Sequence, residues 1–176
     1  MVIWITGLSG AGKTSLVQAI ASQVKRGIRE LVLLDGDAIR QLFGNDLDYR
    51  ESSRVIQIKR IQQIAKFLSD QGLVVMVAAL YSHPDLLRWN RENFEDYFEV
   101  YIQASMALVG ARDSKGLYAR ANRHETEDVV GVDIPWHPPA RPDLVIDADS
   151  GESVDVAAKR VIGAVPRLQA GLIGLD

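Results

Sequence analysis

Apolar residues along the chain gather in short runs, at 2–5, 31–34, 73–79, 98–102 and 144–146. None of these runs alternates strictly with polar residues, which is the pattern of strands covered on both faces. The longer segments between them carry helical spacing and predict helices over 13–26, 52–71, 85–96 and 153–168. In the second of these, Val55, Ile58, Ile61, Ile64, Ala65 and Leu68 fall on one stripe, which leaves Lys59, Arg60 and Lys66 for solvent or ligand. Strands alternating with helices predict an α/β fold, a doubly wound, five-stranded parallel sheet with helices on both faces. Residues 113–143 interrupt the alternation. They are polar and hold four of the six prolines, so the expectation is a long loop with a mobile lid at about 113–135. No repeat or low-complexity linker divides the chain, and its 176 residues suit a single domain, 1–176.

Composition narrows the class without naming a function. Apolar residues at 47% and charged residues at 24% can build a core. The net charge of −3 argues against nucleic acid as the main partner. The chain has no cysteine, which excludes disulfides and thiolate metal sites. No apolar run approaches the ~18–20 residues needed to span a bilayer, so no membrane partner is expected. Met1 leads directly into Val2, Ile3, Trp4 and Ile5 with no basic segment before them. A cytoplasmic enzyme is the expectation.

The sharpest chemical signal is GLSGAGKTS, residues 7–15. Gly7, Gly12, Lys13 and Thr14 satisfy G-x-x-x-x-G-K-[ST] without mismatch, between a predicted strand and a predicted helix, the context that motif requires. The glycines let the backbone wrap closely around an anion. The N–H groups of the loop (Leu8, Ser9, Gly10, Ala11 and Ser15 complete it) and the following helix N-terminus point at phosphate. Lys13 supplies positive charge to the β and γ phosphates, and the Thr14 hydroxyl can ligate Mg²⁺. The motif therefore predicts a P-loop NTPase fold that uses ATP with Mg²⁺.

Downstream, LLDGDAIR at 33–40 places Asp35 and Asp37 just past the second predicted strand, at the carboxyl edge where open α/β sheets bind ligands. Two carboxylates there can hold Mg²⁺ or take the proton of an attacking hydroxyl. Spacing alone equally allows an Asp-Gly turn with an aspartate capping a helix at Ala38. Arg40 follows on the same helix face as Asp37, for an anionic substrate or for solvent. His83, His124 and His137 lack metal-ligand spacing. Trp4 suits the core, Trp89 and Trp136 suit core or pocket equally, and Arg88 with Arg91 suits a solvated face. Ser82 has no base beside it in sequence and is no candidate nucleophile.

The loop, LLDGDAIR and RDSKGLY at 112–118, followed by Gly131-Val132-Asp133-Ile134-Pro135 and Pro142-Asp143-Leu144, together resemble the adenylylsulfate kinase family over roughly residues 2–146. The resemblance implies transfer of the γ-phosphoryl group of ATP to the 3′-hydroxyl of a small nucleotide acceptor, in a homodimer. It implies that Asp35 and Asp37 are the acidic pair beside metal and acceptor hydroxyl. It places Arg40 and Arg54 as substrate-binding arginines, Tyr49 where a phenylalanine usually lies beside the substrate, and Arg112 against the adenine of ATP. Lys115, Gly116, Leu117 and Tyr118 match the family's mobile lid.

Departures from the family pattern fall around the acceptor. Gln57 replaces a usual asparagine, and Ala79-Leu80-Tyr81-Ser82-His83 replaces F-I-S-P-[YH]. Glu127 stands for a lysine, and Val129 for a phenylalanine that stacks on the substrate base. Losing an aromatic platform removes stacking of about 1–3 kcal/mol, and glutamate for lysine reverses a charge beside an anionic ligand. Gln57 and Tyr81 offer alternative hydrogen bonds. Two readings remain: an adenylylsulfate kinase with a drifted pocket, or a kinase with a changed acceptor. The clustering favours the second, and the chain is similar to family relatives in surface-polysaccharide pathways whose acceptor is a cytidine diphosphate conjugate such as cytidine diphosphoramidate. A rival from another class is a regulatory nucleotide-binding switch, which needs a water-orienting residue and no acceptor pocket.

Overall fold

The computed structural model describes residues 1–113 and 116–173. Five parallel strands, β1 (Val2–Thr6), β2 (Leu31–Asp35), β3 (Val74–Ala79), β4 (Tyr97–Gln103) and β5 (Leu144–Asp147), lie in the order β2-β3-β1-β4-β5. Every residue of β1 and β3 is buried, which accounts for the unbroken apolar runs: both faces of these central strands are covered. Helix α1 (Lys13–Val24) packs with α7 (Val154–Ala164) and α8 (Pro166–Ile173), while α3 (Glu51–Ser69) packs with α4 (Pro84–Asn93). The expected doubly wound sheet is what forms.

The predicted stripe on α3 is the side that meets the sheet. Ile58, Ile61 and Ala65 are buried there, with Val55, Ile64 and Leu68 partly covered. Two glutamines share the stripe. Gln62 donates to Leu86 O at 2.9 Å and to Asn90 Oδ1 at 2.7 Å, tying α3 to α4. Of the basic residues assigned to solvent or ligand, Arg60 instead pairs with Asp46 at 2.8 Å and lies 4.1 Å from the Phe43 ring centroid. Arg91, exposed as expected, also bridges Asp143 at 3.2 Å and the buried Glu99 at 3.5 Å.

The helix predicted over 85–96 ends at Asn93, because Phe94 turns to an extended backbone and buries its ring against Trp89 and Tyr97. The predicted C-terminal helix is broken at Val165, extended at φ −116° and ψ 103°. The Pro166 ring disfavours helical geometry in the residue before it, and α8 starts afresh.

Three short helices lie where no periodicity announced them: α2 (Gly36–Leu42), α5 (Met106–Ala111) and α6 (Leu117–Asn122). The last corrects the reading of 113–143 as loop throughout. Its start is held by Asp113, whose carboxylate accepts from Leu117 N at 2.7 Å and Ala119 N at 2.9 Å.

Candidate active site

The phosphate loop joins β1 to α1 at the carboxyl edge of the sheet. Gly7 is required by crowding, since a Cβ there would lie 2.7 Å from Ile102 O. Gly12 caps α1 at φ 105°, a left-handed backbone that favours glycine. Lys13 Nζ donates to Gly7 O at 2.9 Å and Leu8 O at 2.8 Å, so the ammonium is held within the arc of the loop.

Asp35 joins three elements. Its Oδ1 accepts from Asp37 N at 2.9 Å and Ala38 N at 3.3 Å, capping α2. Its Oδ2 accepts from Thr14 Oγ1 at 2.8 Å. The aspartate cap weighed from spacing thus exists, as Asp35 at a helix that begins at Gly36, two residues before Ala38, and the same carboxylate also meets the phosphate loop. A hydroxyl and a carboxylate side by side at the end of a phosphate loop are hard oxygen donors of the kind Mg²⁺ takes.

Two cavities open from this point. The first, about 620 Å³, is lined by the loop from Ser9 to Ser15, by Asp35, Asp37 and Arg112, and by Ala148, Glu152 and Val154 beyond β5. Leu8 faces a separate groove with Met106 and Trp136. The second cavity, about 470 Å³, is lined by Arg40, Tyr49, Arg54, Gln57, Leu80, Tyr81 and Leu117 from the predicted acceptor set. Ser9, Gly36, Asp37 and Leu80 line both. Asp37 therefore stands at the junction.

Two arginines stand together in the wall of the second cavity. Arg40, only 6% exposed, donates to Leu47 O at 2.8 Å and Asp48 O at 3.0 Å. Arg54 donates to Tyr49 O at 2.8 Å and Asp128 O at 2.7 Å. The two guanidinium groups flank the Tyr49 ring at 4.7 and 5.6 Å from its centroid. Burial first, then the neighbouring Arg40 charge, lowers the Arg54 pKa. An anion placed between these like charges relieves that cost.

Several expectations need correction. Ser82 does not line the cavity; it is buried and donates to His137 O at 2.6 Å. Gly116 caps α6 at φ 62° rather than facing the acceptor cavity. Gln57 and Tyr81 line it, but Gln57 gives Nε2 to Gly36 O at 3.1 Å and Tyr81 gives its hydroxyl to Glu51. Lys115 lies outside the described residues. Sequence reading missed Arg120, which lines the second cavity, and Asp133, which holds the backbone of Asp128 and Val129. Asp133 does lie in the quoted G-V-D-x-P series. Among the described residues no group of three or more metal-ligating side chains occurs, and no helix is long and apolar enough to cross a membrane.

The sequence profile of the adenylylsulphate kinase family matches residues 1–147. The chain belongs to this family. It is 35% identical over 161 residues to the cytidine diphosphoramidate kinase of Campylobacter jejuni, covering 92% of this chain and 94% of that one. It is 37% identical over 163 residues to the adenylyl-sulfate kinase of Pseudomonas aeruginosa, covering 92% and 83%. The solved Mycobacterium tuberculosis APS kinase CysC, in complex with AMPPNP and APS, superposes with a TM-score of 0.84 at 32% identity, over 93% of this chain and 95% of that one. Relatives with two different acceptors thus stand at similar distance, and the chain is a kinase of the adenylylsulfate kinase type.

Proposed function

We propose that this kinase transfers the γ-phosphoryl group of ATP to the 3′-hydroxyl of a cytidine diphosphate conjugate, such as cytidine diphosphoramidate, in surface-polysaccharide modification. The observation that carries the reading is the shared wall of the two cavities. Asp37 lines both cavities, and on this reading a phosphate donor on the loop side meets an acceptor on the other beside it. A regulatory switch has no use for a second, arginine-flanked cavity, so the arrangement favours transfer.

Asp37 orients the acceptor hydroxyl and takes its proton, at the carboxylate common to both cavities. Lys13 and the loop amides stabilise charge on the transferring group. Thr14 and Asp35 would hold Mg²⁺, which when bound neutralises charge on the phosphates. Arg40 and Arg54 bind the anionic part of the acceptor. Residues 113–135, with Lys115 among them, act as the lid, and the enzyme is a homodimer.

The cytidine reading is supported by what replaces the stacking platform. Ala79 and Val129 line the cavity with almost no exposed surface of their own, 1% each. Glu127 adds negative charge to the same wall. A purine loses the larger stacking contribution there. The test is steady-state kinetics with both acceptors. A higher kcat/KM for the cytidine diphosphate conjugate supports the proposal. Efficient use of adenylylsulfate with neglect of cytidine compounds refutes it and makes the substitutions drift.

A further inference from the structure

The acceptor cavity contains a hydrogen-bonded pair that none of these roles uses. Tyr81 is 3% exposed and lines the cavity together with Ile58, Ile61 and Leu80. Its hydroxyl donates to Glu51 Oε1. Glu51 stands in the first turn of α3, where the partial positive charge of a helix favours a carboxylate. A carboxylate accepts and cannot donate, so the single phenolic proton is fixed on the Glu51 side. Burial first, then the bond to Glu51, raises the Tyr81 pKa, which keeps that proton in place. Toward a ligand, Tyr81 Oη has only lone pairs to offer.

Two neighbouring polar side chains already have partners. Arg54 gives Nε and Nη2 to backbone carbonyls. Gln57 gives one amide hydrogen to Gly36 O and accepts from Arg60 at 3.3 Å. A fixed acceptor beside Ile58, Ile61 and Leu80 favours a ligand that presents a donor. Cytosine and adenine carry an exocyclic amino group where uracil and hypoxanthine carry a carbonyl oxygen. An oxygen in that place would meet the Tyr81 oxygen with no proton between them, leaving both unsatisfied.

We propose that the Tyr81–Glu51 pair reads the exocyclic amino group of the acceptor base and rejects a carbonyl in its place. The inference rests on the reading that this cavity holds the acceptor nucleotide, and not on which amino-bearing base that nucleotide carries.

The experiment is equilibrium titration of the full chain, its phosphate loop saturated with a non-hydrolysable ATP analogue, with CDP against UDP and ADP against IDP. Wild-type protein is expected to bind the amino member of its preferred pair at least about tenfold more tightly. Tyr81→Phe should bring the two members within about threefold, the loss of one hydrogen-bond acceptor. In Glu51→Gln the new amide can donate to Tyr81 Oη and release the phenolic proton, so the carbonyl member should gain affinity while the amino member loses it. A merely structural role would weaken both members alike and leave their ratio unchanged. A wild-type ratio near one, or a ratio that survives both substitutions, overturns the proposal. Should Tyr81→Phe fail to fold, Glu51→Gln decides the matter at an exposed side chain. Failure of all four nucleotides to bind overturns the acceptor reading as well, whereas equal affinity within each pair overturns this inference alone.

Discussion

Asp35 performs two jobs with one carboxylate, and two substitutions separate them. Oδ1 caps α2 through the N–H groups of Asp37 and Ala38, and Oδ2 accepts from Thr14. Asparagine caps a helix about as well as aspartate, whereas alanine in place of such a cap costs about 1 kcal/mol. For a chain of this size that corresponds to a fall in Tm of about 2–4 °C. Asp35→Ala should therefore melt lower by about that amount, and Asp35→Asn should stay within ~1 °C of wild type. Activity should not follow the same order. Asparagine keeps one oxygen and loses the charge, so both variants should lose ~10–100-fold in Mg²⁺ affinity or turnover. Thermal melts give the first comparison, and ADP release titrated with Mg²⁺ at saturating substrates gives the second. Wild-type Mg²⁺ dependence in Asp35→Asn would refute a metal role for this carboxylate. A melting loss in Asp35→Asn equal to that of Asp35→Ala would refute the division between cap and charge.

Lys13→Ala should abolish transfer while circular dichroism stays native, because its ammonium contacts loop carbonyls rather than core; transfer at the wild-type rate removes the phosphate-loop assignment. Asp37→Asn should lower turnover by ~10²-fold or more with much less change in ATP binding, and an equal loss of ATP affinity would move Asp37 into the donor half. Val129→Phe with Glu127→Lys should shift the kcat/KM ratio toward adenylylsulfate, with effects that need not add at neighbouring sites; an unmoved ratio refutes the stacking argument. Burial, outweighing Tyr97 and Arg91, raises the Glu99 pKa above 4.5. A carboxyl whose folded pKa is raised contributes stability below its unfolded pKa and loses it as pH rises through the folded one. Urea unfolding at pH 5 and pH 8 should therefore move in favour of Glu99→Gln at the higher pH, and movement the other way contradicts the sign.

The donor half was legible in the sequence because backbone geometry determines it. Gly7 cannot carry a Cβ against Ile102 O, and Gly12 must adopt positive φ. Such demands restrict residue identity and leave a readable pattern. The apolar runs were legible for a similar reason, since β1 and β3 are covered on both faces and admit little but apolar side chains. Of the short helices, α2 was weighed only as one alternative for Asp35–Arg40, and α5 and α6 escaped notice. Six or seven residues hold too little periodicity, and α2 and α6 are fixed by Asp35 and Asp113, whose capping roles depend on which N–H groups lie within reach. The acceptor wall escaped in another way. Gln57 and Tyr81 line the second cavity, but sequence could not show that Gly36 takes a Gln57 amide hydrogen and Glu51 the Tyr81 hydroxyl. Hydrogen-bonding capacity left over is a property of the folded arrangement, and Glu51 lies thirty positions from the tyrosine it fixes.

That arrangement also couples the two cavities. Tyr118, buried in α6, donates to Ser9 O at 3.0 Å, and burial, with Asp113 next, pushes its pKa up to about 12. A few residues on, Arg54 of α3 holds Asp128 O, and Asp133 holds the N–H groups of Asp128 and Val129. The 118–133 part of the proposed lid is thus fastened to the phosphate loop at one end and to the wall of the second cavity at the other. Ser9 itself lines both cavities. If the proposed lid moves, these bonds link its donor side to Val129 and Arg54 on the other. A kinase needs such a link, because a γ-phosphoryl group exposed to water before the acceptor is seated is open to hydrolysis. On the proposed function, the arginine that binds the acceptor is also the one that holds Asp128 O, so an anion drawn to Arg54 would act on the 128–133 stretch through the same side chain.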